Sequence, residues 1–488
     1  MCAWGAPRGI ADLVQRVASN DPTLRSLCLM RGRRFEDADA LELFQALAGN
    51  TVLRELSTGC HAVSAAAAAA FSEALAANAV LESLDVGNSS LGDDGLAALA
   101  PGIAASTSLR TLNLERKGIS AAGCAALSAA LAGSSNRKLA ELLLGQNSLG
   151  AEGLAALFNG DGLTGLRLLD LSACGLEGSA GIEPLAVALR EGRLPALTTL
   201  RIDGNELGAS GAATLAASLS GSALAALHLQ RCGMGGEAVA ALADALPAQL
   251  ATLDLSGNAG LGDQGATALA RALAAGRAPH LRRLLLCGAG LDDAAIVALA
   301  DALARRGVAA AGGLEAAGAA AAAADAAAAG ADTGLALDLS GNAAGAAALA
   351  ALAAAPLSTL CLHDCKLRGS GEGSSGESAA DADAAAAEAV ALLTAPGACR
   401  LLQELDISGN RLQTAQLLAL LQALNPASGG DDATAEQPCP RLRMLVMAAN
   451  PGAADEQVSE AIERLQAARP GLDVVRRAAD TGEGSLMR

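Results

Sequence analysis

The stretch Leu197 to Leu207 reads LTTLRIDGNEL and carries a pattern, Leu-x-x-Leu-x-Leu-x-x-(Asn/Cys)-x-Leu, that recurs about every 27 to 31 residues. Three further copies match it: LAELLLGQNSL from Leu139, LRLLDLSACGL from Leu166 and LQELDISGNRL from Leu402. Less regular copies begin at Leu24, Leu53, Leu81, Leu109, Leu224, Leu250, Leu281, Gly334, Leu357 and Leu442. These fourteen repeats make residues 24 to about 452 one periodic object, so the sequence predicts one repeat domain.

Each repeat predicts a strand, a turn and a helix. The Leu-x-Leu alternation has the period of a strand, whereas segments such as Thr267 to Leu273 (TALARAL) place aliphatic residues at helical spacing. The signature Leu-Gly-x-x-Gly, as at Leu149 to Gly153 and Leu207 to Gly211, suits a tight turn with positive φ between the two. A single unit cannot bury its apolar face alone, so neighbouring units stack. We therefore expect an α/β solenoid with parallel strands on the concave face and helices on the convex face.

The ninth position of the pattern holds a short polar or thiol side chain in most repeats. A buried amide or thiol there can satisfy backbone groups of the turn that would otherwise be unpaired. The residues are Asn147, Cys174, Asn205, Cys232, Asn258, Ala289, Asn342, Cys365, Asn410 and Asn450.

On these residues the chain resembles the ribonuclease-inhibitor subfamily of leucine-rich-repeat proteins, whose repeats are similarly long and alternate Asn with Cys. The resemblance covers roughly nine tenths of the chain and implies a horseshoe of right-handed βα units. The subfamily includes a ribonuclease inhibitor, the Ran GTPase-activating protein, sensing ends of innate immune receptors and ciliary components. It therefore implies fold rather than one function. By family analogy we expect a non-enzymatic protein-interaction scaffold in the cytoplasm, including cytoskeletal or ciliary axoneme structures.

The remaining segments interrupt or flank the repeats. Residues 1–23 contain Ile10, Leu13, Val14 and Val17 at helical spacing, which predicts an N-terminal capping helix. Residues 453–488 are expected to form a C-terminal cap and tail, with a helix marked by Val458, Ile462 and Leu465 and a strand over Leu472 to Val475. Three insertions too poor in large apolar residues to fold alone are predicted to be flexible near 308–333, 368–383 and 425–440.

Charge and motifs exclude several classes of function. The 34 basic and 51 acidic residues give a net charge of −17, which disfavours nucleic acid as a partner. No Gly-Lys-Ser/Thr, Gly-x-Ser-x-Gly or His-Glu-x-x-His motif occurs, so we expect no enzyme, no cofactor and no catalytic residue. No apolar run is long enough to insert into a membrane.

The eleven cysteines point to a reducing compartment rather than to disulfides or metal. Cys174 and Cys232 stand two repeats apart, at least ~10 Å, which exceeds the ~7 Å that a disulfide allows. Cys361 and Cys365 flank His363, but positions five and nine point to opposite sides of the strand, so we expect no metal site.

Outward-facing positions of the strands hold the candidate partner-binding residues. Position five of successive repeats places Asp170, Arg201, His228 and Asp254 in a lateral row. The most polar patch of the sheet adds three neighbours to this row, Asp203, Gln230 and Arg231. We expect these seven residues to contact a protein partner and the chain to be a monomer. The alternative is that the charged neighbours merely pair with one another.

A second class of function stays open, namely a GTPase-activating regulator resembling the Ran GTPase-activating protein. Such proteins position the catalytic machinery of the GTPase itself, so no catalytic constellation need be visible. Arg116 and Lys117, just past the fourth strand, are the edge residues that could serve. Stimulated GTP hydrolysis across a panel of small GTPases distinguishes this class from a scaffold.

Overall fold

A computed structural model describes residues 9–132, 138–311, 334–367, 379–395, 398–425 and 438–476. The chain divides into two compact units, an N-terminal unit, Met1–Cys232, and a C-terminal unit, Gly233–Arg488. Each unit alternates a short strand with a helix along the chain.

The described part of the N-terminal unit contains eight strands and eight helices. The strands are β1 Ser26–Cys28, β2 Glu55–Ser57, β3 Ser83–Asp85, β4 Thr111–Asn113, β5 Glu141–Leu143, β6 Leu168–Asp170, β7 Thr199–Arg201 and β8 Ala226–His228. The helices are α1 Ala11–Ala18, α2 Asp37–Ala48, α3 Ala65–Ala77, α4 Gly92–Ala105, α5 Ala121–Leu131, α6 Gly150–Leu157, α7 Gly178–Arg190 and α8 Gly208–Leu219.

The described part of the C-terminal unit continues the same alternation. Its strands are β9 Thr252–Asp254, β10 Arg283–Leu285, β11 Leu335–Asp338, β12 Leu357–Cys361, β13 Glu404–Asp406, β14 Met444–Val446 and β15 Asp473–Val475. Its helices are α9 Gly236–Asp244, α10 Gly262–Ala274, α11 Asp293–Ala311, α12 Ala346–Ala354, α13 Ala379–Leu393, α14 Thr414–Leu424 and α15 Glu456–Ala468, with a 3₁₀ turn at Pro451–Ala454.

Within each unit, every strand pairs in parallel with the next one along the chain. The central leucine of the strand, such as Leu169 or Leu200, is fully buried, and its two neighbours face outward. Consecutive helices also pack against one another. The predicted α/β solenoid is confirmed, and each of the fourteen predicted repeats starts at a strand or at most two residues before it.

The Leu-Gly-x-x-Gly signature divides its two glycines between different tasks. Gly208 takes the positive φ of the turn into α8, at +55°. Gly211 is helical instead, and a Cβ on it would lie 2.9 Å from the carbonyl oxygen of Gly178 in the preceding repeat. The first glycine thus serves the turn, as predicted, and the second lets adjacent repeats approach closely.

The ninth-position side chains link adjacent repeats through buried hydrogen bonds. Asn147 Nδ2 donates to the carbonyl oxygens of Leu114 and Leu144, at 2.7 and 2.8 Å. The thiol of Cys174 donates to the same Leu144 oxygen, at 3.3 Å. The same thiol lies 3.6 Å from the Ser172 carbonyl oxygen of its own repeat, so both the amide and the thiol connect two repeats. The predicted structural use of this position is confirmed.

The buried thiols of Cys174 and Cys232 give a prediction about pH. Burial raises the pKa of both thiols from 9.0 to about 12, so the folded state holds these protons more tightly than the unfolded state. Their contribution to stability is present below about pH 9 and is lost as the pH rises towards 12. We expect unfolding midpoints to fall across this window, as thermal denaturation monitored by circular dichroism will measure.

Alkylation provides a second readout of the same burial. Iodoacetamide at pH 8 is expected to modify the exposed thiols of Cys28 and Cys60 and to spare Cys174 and Cys232 until denaturant is added. Peptide mapping by mass spectrometry assigns each site. Alkylation of Cys174 in the native protein at the rate of Cys28 would contradict the expectation.

Elements near the ends of the chain agree with the local patterns. Ile10, Leu13 and Val17 at α1 are buried. Likewise, α15 buries the predicted stripe of Val458, Ile462 and Leu465 and is followed by the predicted strand, β15. No described helix is long and apolar enough to cross a membrane.

The predicted insertions fall largely on residues outside the described ranges, namely 312–333, 368–378 and 426–437. The described margins of the first two insertions are helical, whereas Asn425 and residues 438–440 at the margins of the third lie outside helices and strands. Residues 308–311 belong to the end of α11, and residues 379–383 begin α13.

Candidate functional site

The predicted row of position-five residues is present at the ends of β6, β7 and β8. In the parallel register Asp170 pairs with Arg201, and Arg201 pairs with His228. All three side chains are partly exposed. The three residues are therefore lateral neighbours on one face of the N-terminal unit, as the repeat spacing predicts.

Asp170 also has a structural task that the sequence analysis did not identify. Its Oδ1 accepts a hydrogen bond from the backbone N–H of Ser172, at 2.9 Å, which holds the chain in a turn as it leaves the strand. Asp338 and Asp406 do the same for Ser340 and Ser408, at 2.9 and 2.8 Å. Acidic residues at position five thus stabilise the strand ends in both units, and only their second oxygen is left for other contacts.

Arg201 is the least satisfied member of the row. Its Nη1 lies 4.0 Å from Asp170 Oδ2, which is an ion pair but too long for a hydrogen bond. Its Nε is buried and has no hydrogen-bond partner in the described part of the chain, although 43% of the side chain is exposed. Burying a guanidinium N–H without an acceptor costs free energy, and the exposed part of the side chain is where an acceptor from another molecule can reach Arg201.

The loops after β7 and β8 place the other predicted residues beside the row. Asp203 Oδ1 accepts from the backbone N–H of Gln230, at 2.7 Å, and Gly204 N–H donates to the Gln230 carbonyl, also at 2.7 Å. Arg231 follows with φ of +51° and is exposed. Asp203 and Gln230 thus lock two loops together, and Arg231 extends from that rigid support.

The prediction that Asp254 faces a partner is wrong. It belongs to the C-terminal unit and is only 2% exposed, so its carboxylate does not face solvent. Its Oδ1 accepts from the backbone N–H of Ser256, at 3.0 Å, in the same turn that Asp170 makes. We therefore restrict the candidate site, called the Arg201 patch, to six residues: Asp170, Arg201, Asp203, His228, Gln230 and Arg231.

A second polar feature of the N-terminal unit was missed. A cleft of about 340 Å³, here called the Lys117 cleft, is lined by Arg31, Asp85, Asn88, Asn113, Glu115 and Lys117, among others. Lys117 occupies the ninth position of its repeat, where Asn or Cys is usual, and this departure was the available signal.

Lys117 is not the edge residue that the sequence suggested. It is only 3% exposed, and its Nζ lies 2.5 Å from both Asp85 Oδ1 and the Gly87 carbonyl oxygen. Arg116, in contrast, is exposed, with its Nε 3.4 Å from Glu115. The prediction that Lys117 is available at the edge for a GTPase is wrong, because the Asp85 carboxylate already holds its ammonium.

Comparison with known families agrees with this architecture. A family model described as Leucine Rich repeat matches residues 77–100, 194–216 and 250–270. The chain contains leucine-rich repeats. The second match spans β7 and most of α8, so the leucine-rich repeat that carries Arg201 and Asp203 is among those recognised.

Other comparisons add little to the leucine-rich-repeat assignment. No curated protein matches the sequence. Among solved structures, a chain in the crystal structure of the Rad7 and Elc1 complex of yeast is similar over 96% of this chain and 88% of that chain, with 15% identity and a TM-score of 0.46. Within the described residues of this leucine-rich-repeat protein, no group of three or more His, Cys, Asp or Glu is placed to hold a metal ion.

Proposed function

We propose that this leucine-rich-repeat protein is a non-enzymatic interaction scaffold that binds a protein partner through the Arg201 patch. The observation that carries the proposal is Arg201 itself, a side chain that is 43% exposed and whose Nη1 is 4.0 Å from the Asp170 carboxylate, too far for a hydrogen bond. Arginine is frequent among the residues that dominate interface energies. With one Trp, four Phe and no Tyr in the whole chain, arginine is also the main anchor in supply.

Exposure of the strands supports the N-terminal unit as the binding face. Its outward positions at Asp170, Arg201 and His228 are polar and partly exposed. In the C-terminal unit the outward position is buried at Cys361 and Val446, at 5% and 6% exposure. The partly exposed Asp338 and Asp406 of the C-terminal unit are separated by the buried Cys361, whereas Asp170, Arg201 and His228 form an uninterrupted polar row.

The chemistry of the patch indicates what the partner supplies. Arg201 has N–H donors, and the nearest carboxylate oxygen of Asp170 lies 4.0 Å from its Nη1. A carboxylate of the partner can approach the guanidinium within hydrogen-bond distance and satisfy it with charge-assisted bonds. We therefore expect an acidic side chain of the partner at Arg201.

The wider setting of the proposal rests on family analogy and on composition. We assign the chain to the ribonuclease-inhibitor-like subfamily because of its long repeats and its alternation of Asn and Cys at the ninth position. The described cysteines form no disulfide, which suits a reducing cytoplasm, including cytoskeletal or ciliary structures. The net charge of −17 favours a protein over nucleic acid, and we propose that the scaffold is a monomer.

The double variant Arg201→Ala, His228→Ala tests the proposal. Capture from cytosolic and cytoskeletal fractions with quantitative mass spectrometry is expected to show at least one partner with affinity reduced about tenfold or more, since loss of an anchor costs more than ~1.4 kcal/mol. The matched control is Arg190→Ala on helix α7, whose Nη2 pairs with Glu183 at 2.8 Å on the helical side of the same unit.

Equal partner recovery with the wild type and the double variant would contradict the proposal. Circular dichroism of both variants must match the wild type, so that a change in binding is not a change in folding. A small GTPase in the wild-type capture, together with stimulated hydrolysis, would instead favour the regulator class.

A further inference from the structure

We propose that the Lys117 cleft is a binding site for an oxyanion, the phosphate or carboxylate group of a side chain presented by another molecule. The cleft lies beyond the ends of β2, β3 and β4, away from the Arg201 patch on β6 to β8. Its occupant is therefore independent of the proposed scaffold contact.

Acceptors in the cleft are already engaged by the chain itself. Asp85 Oδ1 lies 2.5 Å from Lys117 Nζ, and Asp85 Oδ2 accepts from Ser57 Oγ at 2.8 Å. Glu115 Oε1 accepts from Gln146 Nε2 at 2.8 Å and lies 3.4 Å from Arg116 Nε. Both carboxylates are thus neutralised by a cation and hydrogen-bonded as well, which leaves them weak acceptors for a ligand.

Donors in the cleft remain in excess. Asn88 Oδ1 accepts from the backbone N–H and the hydroxyl of Ser90, at 2.9 and 2.8 Å, and Asn113 Oδ1 accepts from Glu115 N–H at 2.9 Å. Because the amide oxygens are used in this way, both residues keep their NH₂ groups as donors. Arg31 is exposed and has no ion pair or side-chain hydrogen bond in the described ranges.

The net charge of the cleft lining also favours an anion. Three cations, Arg31, Arg116 and Lys117, face two carboxylates, Asp85 and Glu115, so the lining carries one net positive charge. This occurs in a chain whose net charge is −17. A site rich in N–H donors and locally positive favours an oxyanion over a cation or an apolar group.

The cleft is also rigid. Lys117 is held at its backbone, because its N–H donates to Asn147 Oδ1 at 3.0 Å, and at its ammonium by Asp85 and the Gly87 carbonyl. A Cβ on Gly59 would lie 2.3 Å from Asp85 Oδ2, so a larger residue there would require the carboxylate to shift away from its partners. A site with donors held in place binds without the cost of ordering them.

Calorimetric titration of the full chain with inorganic phosphate, a phosphoserine peptide and a matched peptide with glutamate at that position tests the inference. Saturable binding of any one supports it, and the order of affinities identifies phosphate or carboxylate as the preferred source. Arg31→Ala is expected to weaken binding about tenfold, the usual scale for one charge-assisted hydrogen bond. The control Arg167→Ala removes another exposed arginine of the same unit and is expected to have no effect.

Asp85→Asn is expected to change phosphate affinity in the opposite direction from Arg31→Ala. The amide keeps one oxygen for the Lys117 ammonium, and its NH₂ group can donate to the Ser57 hydroxyl in place of the second carboxylate oxygen. The substitution removes the charge that neutralises the ammonium, so phosphate affinity is expected to rise several-fold. If phosphate were only attracted non-specifically, removing a negative charge elsewhere in the unit would raise its affinity as much. Asp12 is an acidic residue of the same unit that lies outside the cleft lining. Asp12→Asn is therefore the matched control and is expected to leave affinity unchanged.

The thiol of Cys60, which lines the cleft, reports on occupancy at the site. Phosphate or the better peptide is expected to slow alkylation of Cys60 but not of Cys28, which is equally exposed and outside the lining. No saturable binding by any of the three probes would overturn the inference, as would equal losses in Arg31→Ala and Arg167→Ala. The Arg201→Ala, His228→Ala variant should bind these probes normally, which separates this inference from the proposed function.

Discussion

Asn205→Ala is expected to lower the free energy of unfolding by about 3 to 4 kcal/mol, because it removes four buried hydrogen bonds worth about 1 kcal/mol each. Its Nδ2 donates to the carbonyl oxygens of Leu171 and Ile202, at 2.9 and 2.7 Å. Its Oδ1 accepts from the backbone N–H groups of Cys174 and Leu176, at 3.0 and 3.1 Å. Alanine would leave the Leu171 carbonyl and two N–H groups buried without partners and the Ile202 carbonyl with only the weak thiol donor of Cys232, and water cannot replace the amide in a closed core.

Asn205→Cys is the matched control, because cysteine is the other residue that the ninth position uses. The thiol of Cys232 donates to the Ile202 carbonyl at 3.4 Å, which shows that a thiol can replace part of the donor role. A thiol cannot replace the two bonds that Oδ1 accepts, so we expect a smaller loss than with alanine. Denaturant unfolding followed by circular dichroism measures both variants, with hydrogen exchange at β6 and β7 as a local readout. A loss below about 1 kcal/mol in Asn205→Ala would refute the argued role.

Gly102→Ala is expected to cost about 3 kcal/mol, through overpacking and a lost hydrogen bond. A Cβ on Gly102 would lie 2.3 Å from the carbonyl oxygen of Ser72 and 2.6 Å from its Cα, and backbone atoms cannot move aside as a flexible side chain can. The same approach lets Gly102 N–H donate to Ser72 Oγ, at 2.7 Å, beside Pro101 inside α4. Separation of α3 and α4 would therefore break that bond as well.

The control for this variant is Gly49→Ala at the end of α2. Gly49 has φ of −96°, and no atom lies within 4 Å of a Cβ built there, so alanine is expected to be neutral or slightly stabilising. Thermal and denaturant unfolding of both variants give the comparison. A Gly102→Ala protein as stable as Gly49→Ala would show that the two helices can separate without cost.

The repeat period predicted most of the fold because it depends on residues within a single repeat. The Leu-x-Leu alternation located every predicted strand, and the helical stripes located helices such as α10 and α15. The lateral row of Asp170, Arg201 and His228 also followed from the period, since equal spacing in the sequence gives equal register in a parallel sheet. The partner-binding roles of the six residues of the Arg201 patch remain proposals.

Burial and pairing at individual positions were not predictable in this way. Asp254 occupies the same position of its repeat as Asp170, yet its side chain is buried. Lys117 looked like an edge residue, yet its ammonium is bound by Asp85 from the preceding repeat, 32 residues away in sequence. The Lys117 cleft combines side chains from several repeats, so no single copy of the pattern reveals it.

The sequence by itself determined the α/β repeat architecture and which side of each strand a residue faces, because both are set by spacing along the chain. Only the tertiary structure decided which outward-facing groups are exposed, which are paired and which lack a partner. The physical reason is that exposure and hydrogen bonding depend on the size, charge and position of side chains from neighbouring repeats. The period places those neighbours side by side but does not specify how their side chains pack. Arg201, partly exposed with an unpaired Nε, and Lys117, buried and paired, show the two outcomes within one unit.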